Sequence, residues 1–328
     1  MTTTNTRTIK SSGGDYTSLS SWEAGRQADL VAGDLIEVAE CYDLGAADTT
    51  AVNINGWTTG ASNYIRITVP SAERHTGTRN TSKYRLVVSS AFGSALEINE
   101  EYVRVEGLQL RNSAGNAVAC MIVQPTGTSD IRISDTIAYD VSSSSIGDGF
   151  RIQRGAVQMF NCAAFSCTGT SGVGIHMYNT GSPTLTANNC VAANCTNGFA
   201  VRGFLAIIVK NCYAGGSSGS DYTKDAGATI TKTTCYSEDG SESTSTAAFS
   251  TSSGAYFTNV TGGSENLHIG ASSALKDAGT SLAGWSHPGG DVDVDGDARS
   301  GTWDVGYDEY VSAGATTVPY LTLLGVGS

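Results

Sequence analysis

The sequence predicts an all-β chain wound as a parallel solenoid, and three observations predict it. The first is composition. Of 328 residues, 40 are glycine and 5 proline, and charged residues make up only 15%, against about 25% in an average soluble domain. A helical bundle needs Ala, Glu, Lys and Leu in quantity, and collagen needs glycine at every third position, so both are excluded. The second observation is a repeat. Six segments align, starting at Val103, Ile131, Val157, Leu185, Ile207 and Ile230, with starts 28, 26, 28, 22 and 23 residues apart. Each opens with a two-residue alternation, the mark of a strand with one buried face. The third is the corner that follows. Asp135, Asn161, Asn189 and Asn211 are residue types that tolerate left-handed backbone and bond their counterparts in the next coil.

A second strand precedes several of these segments: Gly149–Ile152, Gly174–Met177 and Gly198–Val201. The spacing puts Phe150, Ile175 and Phe199 in one interior row and Ile152, Met177 and Val201 in the next. A coil of this length cannot bury its own apolar face; its neighbours above and below do so. The cysteines keep the register. Cys162, Cys190, Cys212 and Cys235 share one coil position, and Cys167 and Cys195 share another. Their x4 spacing lacks a nearby histidine, which is poor for zinc. They read as a buried column of small apolar residues.

Residues 1–34 read as an N-terminal strand and a short capping helix. Ser20-x-x-Glu23 is a capping box, and the helix runs to about Val31, with Leu19, Trp22 and Leu30 on its apolar side. Such a cap covers an open strand edge that otherwise invites aggregation. Residues 35–310 read as the solenoid, with Ala255–Val260 and Asn266–Ile269 as its last coils. Residues 311–328 read as a tail that caps the stack or docks on another subunit through Val318, Tyr320, Leu321, Leu323 and Leu324.

Both ends carry a family resemblance. Gly13-Gly-Asp-Tyr-Thr-Ser-Leu-Ser-Ser-Trp22 resembles the opening of right-handed parallel β-helix proteins of the pectate-lyase-like superfamily. Leu267-His-Ile-Gly-Ala-Ser-Ser-Ala-Leu-Lys-Asp-Ala-Gly279 is similar to their "SPAIDAG" segment. Asp293-Val-Asp-Gly-Asp-Ala-Arg299, followed by Trp303-Asp-Val-Gly-Tyr-Asp-Glu309, resembles their "DxDGxxR…DIGAxE" ending. The resemblance covers roughly residues 11–310 and implies a right-handed winding. It says little about activity, because the superfamily includes lyases, glycosidases, viral spikes and inert structural members.

Charge bounds the partners. The net charge is −12, with 31 acids against 19 bases. Such a surface repels nucleic-acid phosphates. No apolar run of about 20 residues exists to span a membrane. The first residues lack the apolar core of a secretory signal, so the expectation is a chain made in the cytoplasm, displayed on a virion surface if it is viral.

Catalytic patterns are not found. Uronate lyases of the superfamily need a Lys or Arg base beside calcium held by several Asp, and its glycosidases need paired carboxylates. Asp148 is the only acid between Asp140 and Asp221, so no catalytic residue is assigned. One outward wall is a candidate glycan site: Asp148, Arg151, Gln153, His176, Tyr178 and Arg202 would hold an acidic sugar by charged hydrogen bonds and ring stacking. A second candidate is Asp291, Asp293, Asp295 and Asp297, spaced like the first half of a calcium loop. Thr302 stands where an EF-hand has its Glu, so a calcium or other hard-cation site there would need different closing ligands. No other cofactor is expected.

The expected function is therefore a non-enzymatic structural or adhesive rod, a phage head decoration or small spike. It would assemble as an oligomer, with a trimer favoured, and contact capsid or other virion proteins or a surface glycan. The alternative is a polysaccharide lyase or glycoside hydrolase acting on an acidic glycan at the same wall.

Overall fold

The computed structural model describes residues 2–127, 130–178, 181–241, 243–283 and 291–312. The five tail residues expected to dock, Val318 to Leu324, lie outside them. The chain is a parallel β-solenoid of about 8 turns. Sheet A has nine strands, from Thr3–Ile9 and Leu35–Cys41 through Ala156–Phe160 to Thr229–Thr233. Sheet B has eight, from Leu86–Val88 through Ala163–Phe165 to Ser245–Thr246. Sheet C has seven, from Val52–Ile54 through Val173–Met177 to Tyr222–Lys224. Each full coil passes from A to B to C.

The repeat alignment is the register of the stack. Val157 pairs with Leu185, Leu185 with Ile207, and Ile207 with Ile230. In sheet C, Phe150 pairs with Ile175 and Ile175 with Phe199. These side chains are buried in one continuous core, as are Ile152, Met177 and Val201. All eight cysteines are free thiols inside the solenoid. The glycines that open the sheet C strands are there for space. A Cβ on Gly174 would stand 2.8 Å from Ala192 Cβ and 2.9 Å from the Gly198 carbonyl oxygen, closer than carbon atoms pack.

Corners recur in columns. Asp135, Asn161, Asn189 and Asn211 all have φ near +50°. Asn211 Nδ2 donates to Asn189 Oδ1 (3.3 Å) and Asn161 Nδ2 to Asp135 Oδ1 (3.1 Å). A second left-handed column, Asp140, Ser166, Asn194 and Gly216, follows sheet B.

Three sequence readings are corrected. The helix begins two residues earlier than the capping box implied. Ser18 is extended and its Oγ accepts from the Ser21 N–H (3.1 Å), whereas Glu23 turns away to accept from Gln27 Nε2, the Asn55 N–H and Trp57 Nε1. The helix also divides in two, α1 at Leu19–Arg26 and α2 at Leu30–Gly33. It breaks because Leu30 N–H donates to the Thr58 carbonyl and Thr58 N–H to the Ala28 carbonyl, and Asp29 then caps α2 through the Ala32 N–H. The cap still covers the stack, with Leu19, Trp22 and Leu30 fully buried.

The third correction concerns the expected last coils. Phe257–Asn259 and Asn266–Ile269 pair antiparallel as a hairpin. The stack ends at Ser245–Thr246, and the following arm lies along the outer face of sheet B. There Ile137, Tyr139, Phe165, Val191 and Tyr213 form a second core with Phe257, Leu267, Leu275, Val305 and Tyr307. Asn corner side chains fasten the arm. Asn161 donates to the Val292 carbonyl, Asn194 to the Val260 carbonyl and Asn211 to the Thr280 carbonyl.

Candidate functional site

The parallel register of sheet C brings the wall residues together. Arg151 pairs with His176 across neighbouring strands, and both lie on the outer face because residues one position from the interior row fall on the opposite face. Arg151, His176, Tyr178 and Arg202 line a hollow of about 350 Å³, closed by Ile146, Ser171, Gly203 and Asp225. Gln153 is half-buried at the end of the same row and is not among the residues that line it.

Its base is a buried ionic cluster. Asp148 is fully buried; Arg151 and His176 are each 4% exposed. Asp148 Oδ2 accepts from Arg151 Nη1 (2.7 Å) and from His176 Nδ1 (2.6 Å), and Oδ1 accepts from the Val173 N–H (3.0 Å). The carboxylate thereby fixes the histidine with its proton on Nδ1. His176 Nε2 and Arg151 Nε are buried with no hydrogen-bond partner among the described residues. The Arg151 guanidinium lies 3.9 Å from the Tyr178 ring centre, a cation–π stack, and His176 meets the same ring edge-on at 5.4 Å. On the far side, Asp225 accepts from Arg202 Nη1 and the Gly203 N–H, both at 2.9 Å. These two bonds, the backbone one first, hold the Asp225 carboxyl below its ordinary range.

Sequence reading missed Asp225. It had a signal: Val201 pairs with Lys224, so Asp225 follows Arg202 by one coil in the same row.

The acidic run folds into a tight loop. Asp293 is buried and spends both oxygens on backbone: Oδ1 accepts from the Asp295 and Asp297 N–H groups, Oδ2 from that of Glu309. Burial pushes its carboxyl up to about 7 against the pull of Arg299. Asp291 and Asp297 stand half-buried at the loop's ends, and Asp295 is exposed. Arg299, fully buried, donates to Glu309 Oε2 (3.1 Å), Asn161 Oδ1 and the Gly306 carbonyl.

Fold and hollow together define a class: a parallel β-solenoid with a polar, aromatic-sided recess on its flank. Neither a family model nor a curated protein matches the chain.

Proposed function

We propose that this protein is a non-enzymatic adhesive rod that holds an acidic glycan in the sheet C hollow. The observation that carries the reading is the state of the two carboxylates there. Asp148 is buried under Arg151, His176 and a backbone amide, and Asp225 is ion-paired with Arg202 and bonded to another amide. With Asp148 out of reach of a substrate, Asp225 stands without the second accessible acid that glycoside cleavage needs. What the hollow offers is donors and ring faces. The Arg202 guanidinium, partly exposed, suits carboxylate and hydroxyl oxygens, and Tyr178, 37% exposed, suits the apolar face of a sugar ring.

A rigid solenoid also suits side-by-side assembly. The reading extends to a virion component, a head decoration or small spike in trimeric form, on the resemblance of its two ends to superfamily members that include viral spikes. Light scattering of the native protein and of a chain ending at Tyr310 tests that extension. A trimer that dissociates without the tail supports it, and a monomer in both forms overturns it.

The glycan reading is tested by affinity electrophoresis against acidic and neutral polysaccharides. Retardation by acidic polymers only, lost in Arg202→Met and Tyr178→Ala, is the expected result. Equal mobility in every gel contradicts it. One observation favours the enzymatic reading: His176 has Nδ1 tied to Asp148, the carboxylate contact that orients a histidine as a general base. On a uronate, that base would remove the proton beside the carboxylate and expel the glycosidic oxygen, leaving a double bond. Appearance of unsaturated uronate, by its ultraviolet absorbance, decides for the lyase.

A further inference from the structure

The last acidic stretch, 291–310, carries seven acids and one base, Arg299. Several of these acids are consumed locally. Asp293 organises its own loop. Asp304 accepts from the Asp277 and Tyr310 N–H groups. Glu309 holds Arg299 and the Asp304 N–H. Asp295 and Asp308 instead converge on His268, which arrives from the hairpin strand Asn266–Ile269. The ligand atoms of the three side chains lie within 4.8 Å of one another.

The geometry around His268 is that of a ligand held by its other nitrogen. Nδ1 is bonded to Asn266 Oδ1, which leaves Nε2 to face the two carboxylates. Nε2 is 3.0 Å from Asp295 Oδ2 and 3.9 Å from Asp308 Oδ1. It is shut off from solvent and makes no aligned hydrogen bond among the described residues. The Tyr307 ring packs edge-on against the imidazole at 5.7 Å, and the Ile269 N–H holds Asp308 Oδ2 at 2.7 Å. Asp308 is 6% exposed, so one of its oxygens is fixed by backbone while the other points at the histidine. Three ligand atoms within 4.8 Å of one another, the nitrogen among them without an aligned hydrogen bond among the described residues, are close enough to meet on one ion. Ligands at about 2.0–2.1 Å from a tetrahedral zinc stand about 3.3–3.4 Å apart, between the two separations seen here. An imidazole orients through its second nitrogen in this way when it binds metal.

We propose that His268, Asp295 and Asp308 form a site for a divalent transition-metal ion of the zinc class, which clamps three segments of the C-terminal arm. One nitrogen and two carboxylates suit zinc, cobalt or manganese better than calcium, which takes six or more oxygens. The site shares only Asp295 with the acidic-run candidate and differs from it in chemistry.

Cobalt(II) titrated into untagged, chelator-dialysed protein tests it, read by visible absorption. One equivalent should give the intense band of a tetrahedral nitrogen–oxygen site, bleached by stoichiometric zinc, and zinc should raise the melting temperature. His268→Asn and Asp295→Asn should each weaken binding at least tenfold. Asp295 is exposed, so that variant folds and keeps the test informative. No band and no thermal shift with micromolar metal would mean that the cluster is a simple histidine–carboxylate ion pair. Unchanged binding in both variants, or calcium bleaching the band as well as zinc does, would overturn the assignment equally.

Discussion

At Asp148 a single carboxylate accepts from three donors while excluded from solvent. Removing one partner of a buried ion pair strands the other and costs about 3–5 kcal/mol. Asp148→Ala should lower stability by that amount in urea unfolding; a change below about 1 kcal/mol would mean that Arg151 and His176 find other partners. His75 gives a prediction in pH. The Gly77 N–H donates to its Nδ1 at 3.1 Å, so that nitrogen carries no proton. Burial, and then the Arg74 charge, hold its pKa down to about 4 from 6.5. A histidine depressed in the folded state takes up its proton first in the unfolded chain. Its penalty is nil above about pH 6.5 and grows as pH falls toward about 4, to roughly 3 kcal/mol. His75→Asn keeps an acceptor for Gly77. The stability difference, wild type minus variant, should therefore shrink by up to roughly that amount across this window, and parallel curves would refute it. Of the hollow, the rows were legible from period-two alternation, which placed Arg151 beside His176. That Asp148 would bind both was not, because a side chain's burial outside the core depends on neighbouring coils.

At the scale of elements, the corner column explains why Asn recurs and where the sequence departs from it. Thr234 occupies the next corner with φ +49°, and its hydroxyl donates to Asn211. A β-branched residue pays about 1–2 kcal/mol for left-handed backbone that Asn largely avoids. Thr234→Asn should raise stability by about 1 kcal/mol, measured by urea midpoint; a loss would show that the hydroxyl bond outweighs the strain. Gly174→Ala should cost about 1–3 kcal/mol through overpacking, since both atoms nearest the new methyl belong to the sheets. The strand register was readable because in-register stacking puts like residues in contact. The helix start was not: Ser18 and Ser20 are equally good caps by type, and only the extended backbone at Ser18 selects it. The hairpin was misread because alternation is the same in parallel and antiparallel strands.

Over the whole molecule, two cores back to back hold the chain together, and sheet B lies between them. Its strands Ile137–Tyr139, Ala163–Phe165 and Val191–Ala193 are buried at every position. That unbroken apolar character, without alternation, was the available sign that a further layer covers the flank. A chain ending at Thr246 would uncover this face. It should bind a hydrophobic dye and self-associate, whereas a soluble, dye-silent truncation would mean that the arm adds nothing. The thiols form part of the inner core, so a thiol reagent should label none of the eight cysteines in the native protein and all of them in denaturant.

The adhesive role rests on the hollow binding an acidic glycan and leaving it whole. Calorimetric titration with a short oligouronate, followed by sizing of the recovered saccharide, examines both parts at once. Saturable one-site binding, at least tenfold weaker in Arg202→Met, with the saccharide recovered at full length, is the predicted result. No heat of binding to the native protein, or a recovered saccharide that is shortened and unsaturated, would contradict it.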